Sequence, residues 1–394
     1  MTGRPVRHIV HIGRYHRKDD IRIFCKECVA LKEAGYQVSY MTSDIYGDQE
    51  TFESEGIRIC FYSNASLQIH IRHLFLKGIF VRSHQLNKIA ESVIQMQPDV
   101  IHVHEYEALP LVWKILKRNR NIKLVYDIHE DNPRQIGEWY RKNHGKLTAW
   151  IVEKIVQARE NGIIKRAVFV IAATDYLKDL AAKHNQHVYT VKNYPKSEDV
   201  DSSNEDLGDR DSNYCYCGGI TQDRGITLLV KNSDAIQGRL LLAGNAQEAY
   251  IQSLREEYPK QWKQYVSYQG YLTRRQVKEL YCSSVVGLCV LQNHPNYIHA
   301  LPIKLFEYMA AGIPVVISDF PLWKQIVEDA HCGITVNPYQ EEEVVKAVNR
   351  LLLDRELAKK LGDQGKRAVR EKYHWEKEAE NLIEAYRSML SCVE

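Results

Sequence analysis

The run 299–319, His-Ala-Leu-Pro-Ile-Lys-Leu-Phe-Glu-Tyr-Met-Ala-Ala-Gly-Ile-Pro-Val-Val-Ile-Ser-Asp, constrains this chain more than any other stretch. Pro302 suits a first helical turn because its missing N–H needs no partner there, and Gly312 followed by Pro314 stops the helix. Val315-Val316-Ile317 is short, apolar and β-branched, as a strand covered on both faces is. The N–H groups at the start of this helix, around Ile303, form an anion site, and Lys304 adds a full positive charge in the same turn. A diphosphate fits there. Glu307 follows three residues later on the same face, where a carboxylate can accept two hydrogen bonds from a sugar diol. Phosphate first and ribose behind it is the order of a nucleotide-sugar. The same two side chains also read as an ordinary exposed ion pair, and the run alone leaves both readings open.

The chain has 394 residues, enough for two or three domains, and its 44% hydrophobic and 26% charged residues are ordinary for a globular protein. No stretch approaches the roughly 18 uncharged apolar residues of a membrane span, and the N-terminus leads into a strand rather than a signal peptide. A cytoplasmic protein is expected. Nine scattered cysteines point to reduced thiols, and Cys25-x-x-Cys28 lies in a helical pattern with no second pair spaced for zinc, so it reads as core. The charge is divided: residues 1–195 carry 29 Lys+Arg against 21 Asp+Glu, and residues 196–394 carry 24 against 29. A basic front half suggests an acidic partner there, an anionic membrane surface or a phosphate-bearing acceptor, with no nucleic acid expected.

Val6 to Ile12 reads as a strand, followed by a polar loop with Gly13 and His16, a helix over 21–34 and a second strand over 36–42. Such βαβ units build parallel sheets whose ligands lie at the carboxyl ends of the strands. The loop lacks G-x-G-x-x-G, which argues against a dinucleotide dehydrogenase. Residues 67–97 are amphipathic and basic, read either as a helix packed on the sheet or as an interfacial membrane helix. The strands 98–105 and 122–128 end in polar residues, placing His104 and His129 on successive strand ends of one sheet. Glu130 and Asp131 are candidates to orient an acceptor hydroxyl, although Asp131-Asn132-Pro133 also reads as turn chemistry. Residues 197–213 are acidic and almost without apolar residues, as a linker is. Asp209-x-Asp211 inside it is a weak metal signal with nothing around it to fix a geometry.

Tyr214 to Cys217 then runs into Gly218-Gly219-Ile220-Thr221-Gln222-Asp223-Arg224-Gly225, a strand, a Gly-rich turn and one cation, Arg224, near a phosphate. Further strands follow at 239–243, 266–270, 285–291 and 333–336, and helices at 341–353 and 356–372.

The run 299–319 resembles the signature of retaining GT-B glycosyltransferases of the fourth sequence family: Glu, seven residues, Glu, a small-residue helix, Gly, Pro and a valine-rich strand. Glu307 stands at the second Glu, which binds the nucleotide ribose in that family; at the first, this chain has His299. Asp20-x-Arg22-Ile23-Phe24-x-Lys26 resembles the family's opening, with Gly13 as the counterpart of its loop glycine. In the phosphate turn Gly219 stands where the family has arginine, and Arg224 where it has lysine. The stretches ending in Gly244-Asn245 and Tyr271-Leu272 match family landmarks, the second lying beside the base. His129 matches the histidine that contacts the donor sugar.

The resemblance implies an α/β GT-B fold of two facing Rossmann-like domains with parallel sheets. An acceptor-binding domain is expected over 1–195, a linker over 196–213, a nucleotide-sugar domain over 214–375 and a helix over 376–394 crossing back to the first domain. It implies transfer of a hexosyl or N-acetylhexosaminyl group from a nucleotide-sugar, of the UDP class, to a hydroxyl of a glycan or lipid-linked acceptor, with retention. Arg224, Lys304 and Ile303 would stabilise the departing diphosphate, and Gly13, Gly219, Gly244, Asn245, Tyr271, Leu272, His299 and Glu307 would complete the donor site. His16, His104, Glu130 and Asp131 would lie on the acceptor side. The nucleotide-sugar is a substrate, no cofactor is needed, and no metal is expected. The setting implied is surface polysaccharide or glycan synthesis, in the cytoplasm or peripherally at the inner membrane face. A GT-B sugar-nucleotide epimerase and a non-catalytic sugar-nucleotide binder remain open beside it.

Overall fold

The short β-branched runs become strands of two largely parallel sheets. The computed structural model describes residues 8–14, 16–43, 51–62, 79–200 and 210–391. The chain divides into two units, Met1–Asn193 with Lys377–Glu394, and Tyr194–Glu376.

Unit 1 holds β1 (His8–Ile12), β2 (Gln37–Ser43), β3 (Phe52–Ser54), β4 (Ile57–Tyr62), β5 (Val100–His104), β6 (Lys123–Ile128), β7 (Phe169–Ala172) and β8 (Val188–Thr190), in the order β3-β4-β2-β1-β5-β6-β7-β8. Only the β3–β4 pair is antiparallel. Connections leave β1 towards opposite edges, so the carboxyl ends of β1 and β5 form a topological switch point, where α/β sheets bind ligands. The register sets His11 beside His102 and His104 beside Asp127. Residues alternate faces along a strand, so all four side chains share one face of the sheet.

The segment read as a helix over 21–34 is partly a π-helix, Ile23–Cys28, followed by the α-helix Val29–Glu33. Five-residue bonds such as Cys25 N–H to Asp20 O (2.9 Å) and Glu27 N–H to Arg22 O (3.0 Å) widen the turn. That pitch buries Arg22, Lys26 and Glu27 on the sheet side. Of the basic stretch 67–97, residues 67–78 lie outside the described part. The remainder, Ile79–Gln95, is a helix that sends Leu86, Ile89, Ala90 and Val93 into the core. Asp131-Asn132-Pro133 opens a helix, Asn132–His144, that the turn reading did not anticipate. The last helix, Trp375–Ser391, belongs to unit 1 from Lys377 on: Glu378 accepts from Lys192 N–H (2.9 Å), and the Tyr386 hydroxyl lies 2.9 Å from His102 Nδ1.

Unit 2 holds β9 (Asn213–Cys217), β10 (Arg239–Ala243), β11 (Val266–Tyr268), β12 (Val286–Cys289), β13 (Val315–Ser318) and β14 (Gly333–Val336), all parallel in the order β11-β10-β9-β12-β13-β14. Its switch point lies between β9 and β12. Apolar clusters cover both faces, so the expected two-sided burial of Val315-Val316-Ile317 holds. Of the acidic stretch 197–213, residues 201–209 are outside the described part, Asp209 among them. Ser197–Asp199 is a single 3-10 turn. All eight described cysteines are free thiols. Among the described residues no helix is long and apolar enough to cross a membrane.

Candidate functional site

In unit 2 the switch point gathers the turn after β9 and the helix after β12. Gly218 has φ +157°, and Gly244 (φ +138°) lies so close to the Gly218 carbonyl that an added Cβ would stand 1.7 Å from it. The two turns are tied by Ile220 N–H to Asn245 O (2.9 Å), while Gly244 N–H reaches Gly270 O (2.7 Å). Only glycine permits this approach of backbones. Arg224 folds back over Gly219, where a Cβ would meet its Nε at 3.6 Å, and its guanidinium stacks 5.8 Å from the Tyr297 ring centroid. The Tyr297 hydroxyl donates to Asp223.

The site helix is Ile303–Ala311, with Pro302 as its N-cap and Gly312 closing it in the left-handed conformation (φ 71°). Ile303 is exposed at its first turn. Lys304 Nζ donates to Glu307 Oε2 (2.8 Å), and the same oxygen accepts from the Tyr281 hydroxyl (2.7 Å). The pair is three-quarters buried, unlike an ordinary surface pair. Burial works against the Lys304 charge, but Glu307 overcomes it and raises the lysine above its usual range. Arg224 and Lys304 act on common neighbours: burial pushes the Cys289 thiol up to about 12 against the fields of both cations, and both also act on Tyr216. Arg224, in the turn after β9, and Lys304, in the first turn of the helix after β12, both follow the carboxyl ends of those strands. Leu272 packs on the core beneath the site and Tyr271 is exposed; His299 is partly buried.

In unit 1, His129 stands just past β6 with 14% of its side chain exposed, its Nε2 2.6 Å from Asp127 Oδ2. Asp127 is fully buried; burial pushes its carboxyl up, but Arg22 and then His129 hold it well below the usual range. Arg22 donates from Nη2 to both Asp127 oxygens (3.0 and 3.2 Å) and from Nη1 to the Val191 carbonyl (3.1 Å). His129 Nε2 faces inward, towards Asp127 Oδ2 (2.6 Å) and Arg22 Nε (3.1 Å), and Nδ1 faces Glu105. His16 lies between Asp20 (3.0 Å) and Glu105 (3.0 Å); burial opposes its charge, but these carboxylates raise it to about 10. Gly13 ends β1 with its N–H on Met41 O (3.0 Å) and its carbonyl on the Tyr62 hydroxyl (2.7 Å).

Not every sequence candidate faces outward. His104 is fully buried, with Nδ1 on Asp127 (3.1 Å) and Nε2 on His11 (2.9 Å), so it sits beneath the strand-end surface. Asp131 is the N-cap of its helix, accepting from Arg134 N–H (3.2 Å) and the Tyr176 hydroxyl (2.8 Å), while Glu130 is exposed. Sequence reasoning missed Arg22 as the partner of Asp127, and it missed Glu105. The latter has φ +68°, a strained value for a residue with a side chain, and places Oε1 3.7 Å from His129 Nδ1.

Comparison with known proteins gives two family matches: the Glycosyltransferase Family 4 model over residues 26–193 and the Glycosyl transferases group 1 model over 197–368. A glycosyltransferase of Methanocaldococcus jannaschii, itself uncharacterised, is 27% identical over 177 residues, covering 44% of each chain. The match thus spans less than half of that relative's length. Sucrose-phosphate synthase from Thermosynechococcus elongatus shares the fold over 98% of this chain and 99% of its own, with TM-score 0.75 and 18% identity. Anabaena HepE, solved in complex with UDP-glucose, covers 97% of this chain and 99% of its own, with TM-score 0.71 and 12% identity.

Proposed function

The chain belongs to the group 1 glycosyltransferases, with the GT-B fold, and from that premise we propose that it transfers a hexosyl or N-acetylhexosaminyl group from a UDP-sugar to a hydroxyl of a glycan or lipid-linked acceptor, with retention at the anomeric carbon. One observation carries this reading: Arg224, in the turn after β9, and Lys304, at the N-terminus of the helix Ile303–Ala311 after β12, both stand at the switch point of unit 2, with Glu307 one turn behind. Fixed cations stabilise a diphosphate most when it is leaving, because its negative charge then grows. Glu307 receives the ribose hydroxyls, and the backbone of 244–245 and 271–272 lines the base side. Unit 1 supplies His129 to the donor sugar, and His16, Glu105 and Glu130 to the acceptor. The departing phosphate takes the acceptor proton, so the donor site works without a metal. HepE binds UDP-glucose, which supports a UDP-sugar here.

Thermal-shift titration with UDP-, GDP- and ADP-sugars tests the donor assignment. A rise in melting temperature with UDP-sugars that survives EDTA is expected, since ligand bound to the native state stabilises it. No shift with any of them would remove the donor site.

A lipid-borne acceptor is favoured by the surface of unit 1. In the helix Lys146–Arg166, Leu147, Trp150, Ile151 and Ile155 are exposed, and their spacing puts them on one face with Lys154. Trp139, Arg141 and Lys142 lie on the preceding helix. Exposed aromatic and aliphatic groups among lysines and arginines suit an anionic bilayer surface. The protein is expected to float with vesicles containing phosphatidylglycerol and not with pure phosphatidylcholine. The double variant Leu147→Glu/Trp150→Glu should abolish flotation; equal recovery of wild type and variant with both vesicle types would discard the contact.

A further inference from the structure

Behind His129 lies a polar cluster that sugar transfer does not use. His11 on β1, His102 and His104 on β5, and Glu27 in the π-helix Ile23–Cys28 are each 0% exposed. Lateral pairing of His11 with His102 brings their ring centroids to 4.4 Å, and the rings of His102 and His104 lie 4.6 Å apart. One ligand atom from each of the four residues lies within 4.8 Å of all the others. Burying polar atoms without partners costs stability, so such groups are normally satisfied. Here His11 Nε2, His102 Nε2 and both Glu27 carboxylate oxygens have no hydrogen-bond partner.

The surrounding bonds say which nitrogens carry lone pairs. His104 Nδ1–H donates to Asp127 (3.1 Å), leaving Nε2 to accept from His11 Nδ1–H (2.9 Å). His11 Nε2 is then a bare lone pair. The Tyr386 hydroxyl oxygen lies 2.9 Å from His102 Nδ1; in the tautomer whose Nδ1–H donates to that oxygen, His102 Nε2 carries a lone pair as well, 3.8 Å from Glu27 Oε2. Histidines whose second nitrogen is held by a carboxylate, hydroxyl or other oriented group are the usual metal ligands. The charge agrees. Arg22 directs its hydrogen bonds to Asp127, to Val191 and, from Nε, to His129 Nε2 (3.1 Å); Nε is also 3.1 Å from Glu27 Oε1, but outside hydrogen-bonding geometry. Two buried carboxylates thus share one guanidinium.

We propose that His11 Nε2, His102 Nε2 and a Glu27 oxygen bind a divalent transition-metal ion of the zinc class, with His104 orienting His11 through Asp127. Nitrogen and oxygen donors of this kind suit zinc and its neighbours. Ligands about 2.1 Å from an ion stand about 3.4 Å from one another in a tetrahedral site, and His102 Nε2 and Glu27 Oε2 already lie 3.8 Å apart. Three protein donors leave the fourth position of a tetrahedral ion open, and the buried ion would tie β1, β5 and the π-helix together beneath the Arg22–Asp127–His129 contacts. The inference stands apart from the donor reading, which concerns unit 2.

The test uses the untagged full chain, unfolded in EDTA, refolded and titrated with Co²⁺ and then Zn²⁺. About one Co²⁺ per chain is expected, with visible d–d bands that Zn²⁺ abolishes and a higher melting temperature than in EDTA. Metal retained after desalting should be lost in His102→Phe and in His11→Phe, which keep an aromatic ring but no ligand, while far-UV circular dichroism and the UDP-induced thermal shift persist. If those variants do not fold, the wild-type metal content and its Zn²⁺-dependent melting shift decide alone. A refolded wild-type chain that retains no metal, or folded variants that retain as much as wild type, would overturn the site.

Discussion

His129→Ala is expected to lower sugar transfer by about 10³-fold or more while changing UDP-sugar binding less than about twofold, as loss of a group acting only on the reacting centre does. His129 lies in unit 1, whereas the cations for the diphosphate, Arg224 and Lys304, lie in unit 2, so removing its ring leaves the nucleotide contacts in place. Its effect depends on orientation. Asp127, ionised and held by Arg22, lies 2.6 Å from His129 Nε2 and so turns Nδ1 outward. Asp127→Asn keeps the shape but presents an amide to both His104 and His129, so it should lose much of the activity with the ring still present. Steady-state kinetics beside isothermal titration with UDP separates the outcomes. Unchanged turnover in His129→Ala discards its catalytic role and favours a non-catalytic binder; lost turnover with intact UDP binding supports the transferase.

Local sequence carried much of the architecture and less of unit 1's chemistry. The helix before β13 was legible because its stop signal and the following β-branched run lie within a few residues, and Lys304 and Glu307 share its face by spacing alone. Helix Asn132–His144 is not announced by Asp-Asn-Pro, which reads equally as turn chemistry and as a helix start with an Asp N-cap followed by Pro in the first turn. The π-helix was not legible: its five-residue bonds follow from burying Arg22, Lys26 and Glu27 against the sheet. His11, Glu27, His102 and His104 are brought together only by the pairing of β1 with β5, and no spacing along the chain announces that. Glu105 carries no sequence signal for its positive φ. His104 was placed at the right strand end, but alternation turned it inward under Asp127.

Lys304→Met should weaken UDP binding about 10- to 100-fold and lower kcat/KM further, because a charge-assisted contact of about 1.5–3 kcal/mol is lost and its phosphate is left facing an apolar stem. Methionine keeps most of the methylene volume, so the helix should still pack on β12 and β13. The loss should depend on the ligand. UMP, which lacks the β-phosphate, should bind both proteins with similar affinity if Lys304 meets the terminal phosphate. Glu307→Gln should show the complementary pattern: weaker UDP binding, with little further loss for 2′-deoxy-UDP, since Glu307 accepts from the ribose. One complication is built into the site, where Glu307 Oε2 accepts from both Lys304 Nζ (2.8 Å) and the Tyr281 hydroxyl (2.7 Å). Removing Lys304 therefore frees Glu307 as well as a phosphate. The double variant Lys304→Met/Glu307→Gln separates these effects: strictly additive losses would mean that the two side chains bind different parts of the nucleotide independently, whereas a smaller combined loss would mean that Lys304 also holds Glu307 in place for the ribose. Equal losses for UDP and UMP in Lys304→Met would place the lysine away from the leaving phosphate and remove it from the proposed chemistry.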